Sequence, residues 1–172
     1  MERPDLPGQV VFRLHPDQGV ARHAAVRLFE CVEKDLRALL PASADVRHVG
    51  ATAVAACLTK GDLDVVVRVE ADAFADADRA LAARFARNEG SKRTACFSSF
   101  EDSGTVPHLG IQLTVQGGAD DCFHLLTDAL SADPALVEAY NALKRRFDGE
   151  PMEAYREAKG AFIRDVLADQ GI

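Results

Sequence analysis

The chain has 172 residues and a formal charge of −7; it is 48% hydrophobic and 27% charged. That length suits one domain with a real core, and the acidic balance excludes broad binding to nucleic acid, which depends on phosphate neutralisation. No apolar run approaches the ~20 residues of a membrane span. The opening Met1-Glu2-Arg3-Pro4-Asp5 lacks the basic-then-apolar order of a signal peptide, so a cytoplasmic location without a membrane partner is expected.

In chain order, Gln9 to Leu14 reads as a short strand or an extended arm. From Pro16-Asp17 the apolar positions Val20, Ala24, Leu28, Cys31, Val32, Leu36 and Leu39 follow a period near 3.6, and Pro41 ends that helix. Asp45 to Val49 is a short strand closed by Gly50. Gly50 to Gly61 reads as a turn followed by one or two helical turns. A strand from Asp62 to Glu70 follows, then a helix from Asp72 to Arg87 with Phe74, Ala77, Leu81 and Phe85 inward. Arg93 to Phe100 and Val106 to Val115 read as strands able to form a hairpin around Glu101-Asp102-Ser103-Gly104.

Beyond Gln116-Gly117-Gly118 the pattern is helical. The first helix, Ala119 to Ala132, turns Phe123, Leu126 and Leu130 inward. Asp133 caps the second and Pro134 opens it, a favoured pairing; it carries Leu136, Val137, Tyr140, Leu143 and Phe147. Gly149 breaks it, and Pro151 starts a third with Met152, Tyr155, Phe162, Ile163 and Val166. The expected fold is a mixed α/β (α+β) domain with about four strands. Its core spans about residues 17–118, and helices fill about 119–170. The cysteines Cys31, Cys57, Cys96 and Cys122 show no CxxC spacing, which fits buried thiols in a reducing compartment.

The chemistry concentrates at Asp62-Leu63-Asp64. A strand has a side-chain period of two, so both acids project from one face, roughly 6.5–7 Å apart at Cα. Carboxylates that close repel unless a cation lies between them, and hard divalent ions prefer carboxylate oxygen. The pair therefore suggests a Mg²⁺ or Mn²⁺ site for a phosphate-bearing substrate. Ten residues upstream lies the small turn Gly50-Ala51, at a helix start where backbone N–H groups favour an anion.

This order of turn, spacer and acid-apolar-acid strand resembles the core of the polymerase-beta-like nucleotidyltransferases. More narrowly, His48-Val49-Gly50-Ala51-Thr52-Ala53-Val54, followed by Lys60 and Asp64, is similar to the GrpB family. That family reads His-Ile-Gly-Ser-Thr-Ser-Val-Pro-Gly-Leu, with Lys and Asp at this spacing. Downstream, Tyr140, Leu143-Lys144, Tyr155, Lys159 and Phe162-Ile163 match its second signature. The resemblance implies a minimal nucleotidyltransferase fold and an NTP as substrate. Asp62 and Asp64 would hold the metal and carry catalysis. Gly50, Ala51 and Thr52, with Lys60, Lys144 and Lys159, would bind the phosphates. His48, His108, Gln112 and Tyr155 would line the pocket.

The chain departs from the family at several points. Ala51 replaces a Ser, Ala55-Ala56 replaces Pro-Gly, Gly61 replaces a Pro, and Thr127 stands for an Arg. The superfamily's third acid is expected from the strand His108 to Thr114, whose polar face is His108, Gly110, Gln112 and Thr114. None is acidic, and Gln112 occupies the usual position. Three readings remain open: a metal-dependent transferase acting on a small acceptor, a noncatalytic module for a nucleotide or CoA-like ligand, and a purely structural or oligomerisation role that would leave Lys60, Lys144 and Lys159 unrelated in space. Several residues also have plainer roles: Lys60 as ion-pair partner of the acids, Lys144 and Lys159 as solvated helix residues, Tyr155 as core, His48 as a structural histidine, and His124 as surface.

Overall fold

The computed structural model describes residues 9–171. Its centre is a five-stranded mixed sheet ordered β1-β2-β5-β4-β3. The strands are β1 (Asp45–Val49), β2 (Leu63–Val69), β3 (Ala86–Arg87), β4 (Phe97–Asp102) and β5 (Leu109–Val115). β2 and β5 run parallel, and the other neighbours are antiparallel. Among the described residues the α-helices are α1 (Gln18–Leu39), α2 (Phe74–Arg84), α3 (Phe123–Ala132), α4 (Pro134–Phe147) and α5 (Met152–Asp169).

The two faces of β2 explain the layers. Leu63, Val65, Val67 and Val69 point to one side, where they join Val32 and Leu36 of α1 and Phe74 and Leu81 of α2 in the main core. Burying side chains of this size stabilises by about 1.5–3 kcal/mol each, which fixes the strand's register. Asp64, Val66 and Arg68 face the opposite side, towards α3. There Arg68 meets Asp121 and Phe97 stacks with Phe123. A smaller core of Val54, Cys57, Leu130, Val137 and Tyr140 joins α3 and α4 to the connection after β1.

Several expected boundaries move. The helix expected from Asp72 to Arg87 is α2 preceded by a 3-10 turn, Ala71–Ala73, and ends at Arg84; residues 86–87 form the fifth strand. Phe85 leaves the helix because the chain must pair Ala86 with Glu101 and Arg87 with Phe100. The hairpin is present, but its first strand starts at Phe97, and Glu101 and Asp102 pair with Gly110 and Leu109 instead of turning. Residues 119–122 precede α3. Asp133 caps α4 by accepting from Ala135 and Leu136 N–H groups. Residues 9–14 are an extended arm with one bridge, Val11 to Pro151.

Four single-residue expectations are corrected. Cys31 is exposed, Cys96 and Cys122 are half-buried, and only Cys57 is buried. His124 is not on the surface: it is 8% exposed, and its Nδ1 lies 3.6 Å from Asp121 Oδ1 beneath the sheet.

Candidate functional site

The connection from Gly50 to Gly61 carries the site, and polar side chains from two helices fix it. Arg22 of α1 donates to the carbonyls of Ala51, Val54 and Cys57 at 3.1, 2.7 and 2.8 Å. Gln18 donates to Thr59 O and accepts from Thr59 N–H. From α4, Asn141 donates to Ala56 O and accepts from Leu58 N–H, while Lys144 donates to Leu58 O. Irregular backbone leaves its own carbonyls unpaired, so buried donors must come from elsewhere. Arg22, Gln18 and Asn141 escape a reading of the sequence because each looks like an ordinary polar residue on an amphipathic helix.

A cleft opens where this connection meets the start of β2. Gly50, Ala51, Lys60, Asp62, Asp64, Lys144, Tyr155 and Lys159 all line it. Both acids thus reach one space, as the strand period requires. Lys60 pairs with Asp62 at 2.5 Å. Asp64 sits deeper, and burial pushes its carboxyl above the ordinary value, with Lys159 opposing that shift. A half-buried carboxylate held beside a second acid favours a cation in the cleft.

Asp64 owes its position to two glycines. Across the sheet it pairs with Val49 of β1 and Gly110 of β5. A Cβ on Gly50 would lie 2.8 Å from Asp64 Oδ2, and one on Gly110 would lie 3.3 Å from Oδ1. The carboxylate therefore occupies space that a side chain at either position would take. Gly50 also adopts φ +78°, and its N–H donates to Thr127 Oγ1 at 3.0 Å. Thr127, one of the departures from the family pattern, tethers the turn to α3.

Four candidates, Thr52, His48, Gln112 and His108, lie outside the cleft lining. The Thr52 hydroxyl is turned inward: it donates to Asp62 O at 3.1 Å and lies 2.8 Å from His48 Nε2. Because that hydroxyl donates to the carbonyl, the histidine nitrogen is the donor of the second bond. His48 projects from the other face of β1 against Phe29. Burial and the Arg22 charge lower its pKa to about 4, so it is neutral at pH 7. Both residues brace the turn. Gln112 lies one step deeper than Asp64, opposite Val66, and its Oε1 is buried without a hydrogen-bond partner. The residue opposite Asp64 is Gly110, not Gln112.

The strand reading missed one acid. Glu101 of β4 pairs with Gly110 on the far side of β5, so it shares the face of Asp64 across the gap the glycine leaves. Its Oε2 lies 3.3 Å from His108 Nε2. Strand register is the signal that would have found it, and register is not legible from one strand alone. Among the described residues, no three His, Cys, Asp or Glu side chains converge closely enough to hold a metal by themselves. Two carboxylates are nevertheless a usual protein contribution to Mg²⁺, which completes its shell with waters and substrate phosphates.

The free volume of the cleft is about 80 Å³. Sites that enclose a whole small ligand run to roughly 300–1,000 Å³. The cleft is therefore too small to enclose a whole small ligand. Phe12 of the arm closes one wall, stacking on Tyr155 at 3.7 Å between ring centroids. Tyr155 is core, and Lys144 is buried rather than solvated.

This architecture is that of the nucleotidyltransferase-like fold. It is shared with a cytoplasmic RNA terminal U-transferase (TM-score 0.51, 13% identity, 73% of this chain and 39% of that one). It is shared also with a Cid1 poly(U) polymerase bound to MgATP (TM-score 0.51, 11% identity, 76% and 42%). This chain spans about two fifths of those proteins, and the likeness is one of fold. The GrpB protein family model matches residues 22–169. A UPF0157 protein of Vibrio cholerae is 32% identical over 141 residues, covering 81% of this chain and 74% of that protein. The conserved protein GrpB from Enterococcus faecalis has a TM-score of 0.64 at 20% identity, over 93% of this chain and 96% of that one. The chain belongs to the GrpB family.

Proposed function

We propose that the cleft binds the phosphates of an NTP together with Mg²⁺ or Mn²⁺, and that the protein transfers a nucleotidyl or phosphoryl group to a small acceptor. The observation that carries this reading is the meeting of Asp62 and Asp64 with Lys60, Lys144 and Lys159 around one small cleft. Carboxylates and ammonium groups facing one cavity suit a metal-bound polyanion better than either charge alone does. Asp62 and Asp64 would hold the ion, which would neutralise charge on the phosphates. Lys159 and Lys60 would bind phosphate oxygens, and Gly50 and Ala51 would let the chain approach them closely. Glu101 and His108 flank the opposite side of Asp64, across Gly110, and would face the acceptor.

A noncatalytic module for a nucleotide or CoA-like ligand is the second reading. The tie of Glu101 to His108 favours it, because among the described residues it leaves Asp62 and Asp64 without a third free carboxylate in the cleft. Calorimetric titration of each NTP with Mg²⁺, on wild type and Asp64→Asn, separates the readings. Metal-dependent binding lost in Asp64→Asn, with product formed in a screen of small acceptors, supports the transferase. Binding without product supports the module. No binding to either protein would remove both.

A further inference from the structure

Cys57 and Lys144 form a buried contact that the reading above uses only in part. The Cys57 side chain is fully buried and Lys144 is 2% exposed. Lys144 Nζ lies 3.4 Å from Cys57 Sγ. Its other partners are the Leu58 carbonyl and the face of Tyr140, 3.9 Å from the ring centroid. None of these is an anion, so burial lowers the lysine pKa to about 8. A fraction of the amine is therefore neutral near pH 7, with its lone pair available beside the sulfur. Among the described residues, Cys57 is the cysteine with a lysine nitrogen in hydrogen-bond contact.

We propose that Cys57 and Lys144 are an oxidative modification site, at which one oxygen atom bridges Sγ and Nζ. The oxidant is dioxygen. One oxygen atom forms the S–O and O–N bonds; the other leaves as water, taking the thiol hydrogen and one amine hydrogen. Sulfur and nitrogen each lose two electrons, and dioxygen accepts all four. A direct S–N bond would require the two atoms to close to single-bond length within a packed interior, which resists such movement. An inserted oxygen spans most of the gap already present. The cleft reaches Lys144, giving a small neutral oxidant a route to the pair.

The bridge would replace a basic amine with a weakly basic, uncharged nitrogen. Resting on the proposed phosphate role of the cleft, oxidation would remove one cation from it and weaken anion binding. The modification makes the site redox-sensitive without an exposed thiol.

The test uses the full chain, purified in air and, separately, under exclusion of oxygen with reductant. Mass spectrometry of the air-exposed protein should show a gain of about 14 Da, one oxygen added and two hydrogens lost. The gain should map to a crosslinked peptide pair containing Cys57 and Lys144. Dithiothreitol should reverse it, Lys144→Arg should lack it, and Cys31→Ser should keep it. Absence of the crosslinked pair in air would overturn the proposal, as would sulfinate or sulfonate alone on Cys57. Persistence of the mass gain in Lys144→Arg would overturn it as well. Inorganic triphosphate is the second probe, with binding expected to weaken about tenfold on oxidation, the loss of one charged hydrogen-bond donor. A crosslink that leaves triphosphate binding unchanged would count against the phosphate role and not against the modification. Intact triphosphate binding without a crosslink would refute the modification alone.

Discussion

Gly50 and Asp64 approach so closely that a methyl group on the glycine would lie 2.8 Å from the carboxylate. Gly50 also holds φ +78°, where a side chain adds backbone strain. Gly50→Ala should cost about 1–3 kcal/mol of stability through that strain and should also displace Asp64. Gly110→Ala supplies the contrast: its added Cβ would lie 3.3 Å from the same carboxylate. It carries no left-handed φ, so it should disturb the carboxylate with a smaller loss of stability. Urea midpoints and Mg²⁺-dependent NTP calorimetry check both variants. Binding that survives Gly50→Ala unchanged would show that Asp64 does not need this space.

Much of this arrangement was legible in the sequence because it rests on local periodicity. Alternation along β2 put Asp62 and Asp64 on one face, and the helical period identified α1 to α5 and the cap at Asp133. What escaped depends on contacts between distant segments. β3 is two residues long, too short to show a pattern, and it exists because Arg87 pairs with Phe100. Glu101 reads as a turn residue until β4 and β5 are in register. Thr52 looks like a phosphate ligand, yet its hydroxyl bonds Asp62 O inside the fold. Lys144 looks like a solvated helix residue, yet an irregular connection with unpaired carbonyls draws it into the interior.

Lys60 and Lys159 are held differently, and their variants should separate two roles. Lys60 pairs with Asp62 at 2.5 Å, whereas Lys159 acts on Asp64 through its charge. Lys159→Met should weaken inorganic triphosphate binding about tenfold, the loss of one charged contact. Its effect on stability should stay within about 0.5 kcal/mol, as for most partly exposed positions. Lys60→Met should weaken triphosphate binding less, because it also frees Asp62 for the metal. Calorimetry with and without Mg²⁺ reads both effects, and equal losses for the two variants would contradict the distinction.

Lys144 predicts that stability rises with pH across the alkaline range, opposite in sense to the usual alkaline unfolding. Its pKa falls from the ordinary 10.5 to about 8 on burial. Between those values the unfolded chain binds more protons than the folded one, so stability rises with pH. Below about 8 both states carry the proton, and the deficit is constant. The rise across this window should be about 3 kcal/mol at most. Lys144→Met should flatten it. Urea unfolding at pH 7.5, 9 and 10 provides the comparison, and a wild-type curve that falls as steeply as the variant's would refute the shift.

Asp78 anchors the opposite edge of the sheet and supplies a control remote from the cleft. It accepts two hydrogen bonds from Arg87 at 2.9 and 2.7 Å, one from Arg93 at 2.9 Å and one from the Ser98 hydroxyl at 2.6 Å. The Arg87 bonds hold its carboxyl well below the usual range, and the Ser98 and Arg93 bonds add to this. A depressed folded-state value stabilises the protein above the unfolded value, near 4, and that stability is lost as pH falls through the folded value. Asp78→Asn should destabilise by about 2–3 kcal/mol at pH 7, less than a fully buried pair because Arg93 is exposed to water. The gap between wild type and variant should narrow as pH falls from 5 towards 2. Because Asp78 lies across the sheet from the cleft, triphosphate binding by the folded variant should equal that of wild type. A binding loss matching the Lys159→Met variant would mean that the sheet edge and the cleft are coupled, and that the cleft's lysines act through the stability of the whole sheet.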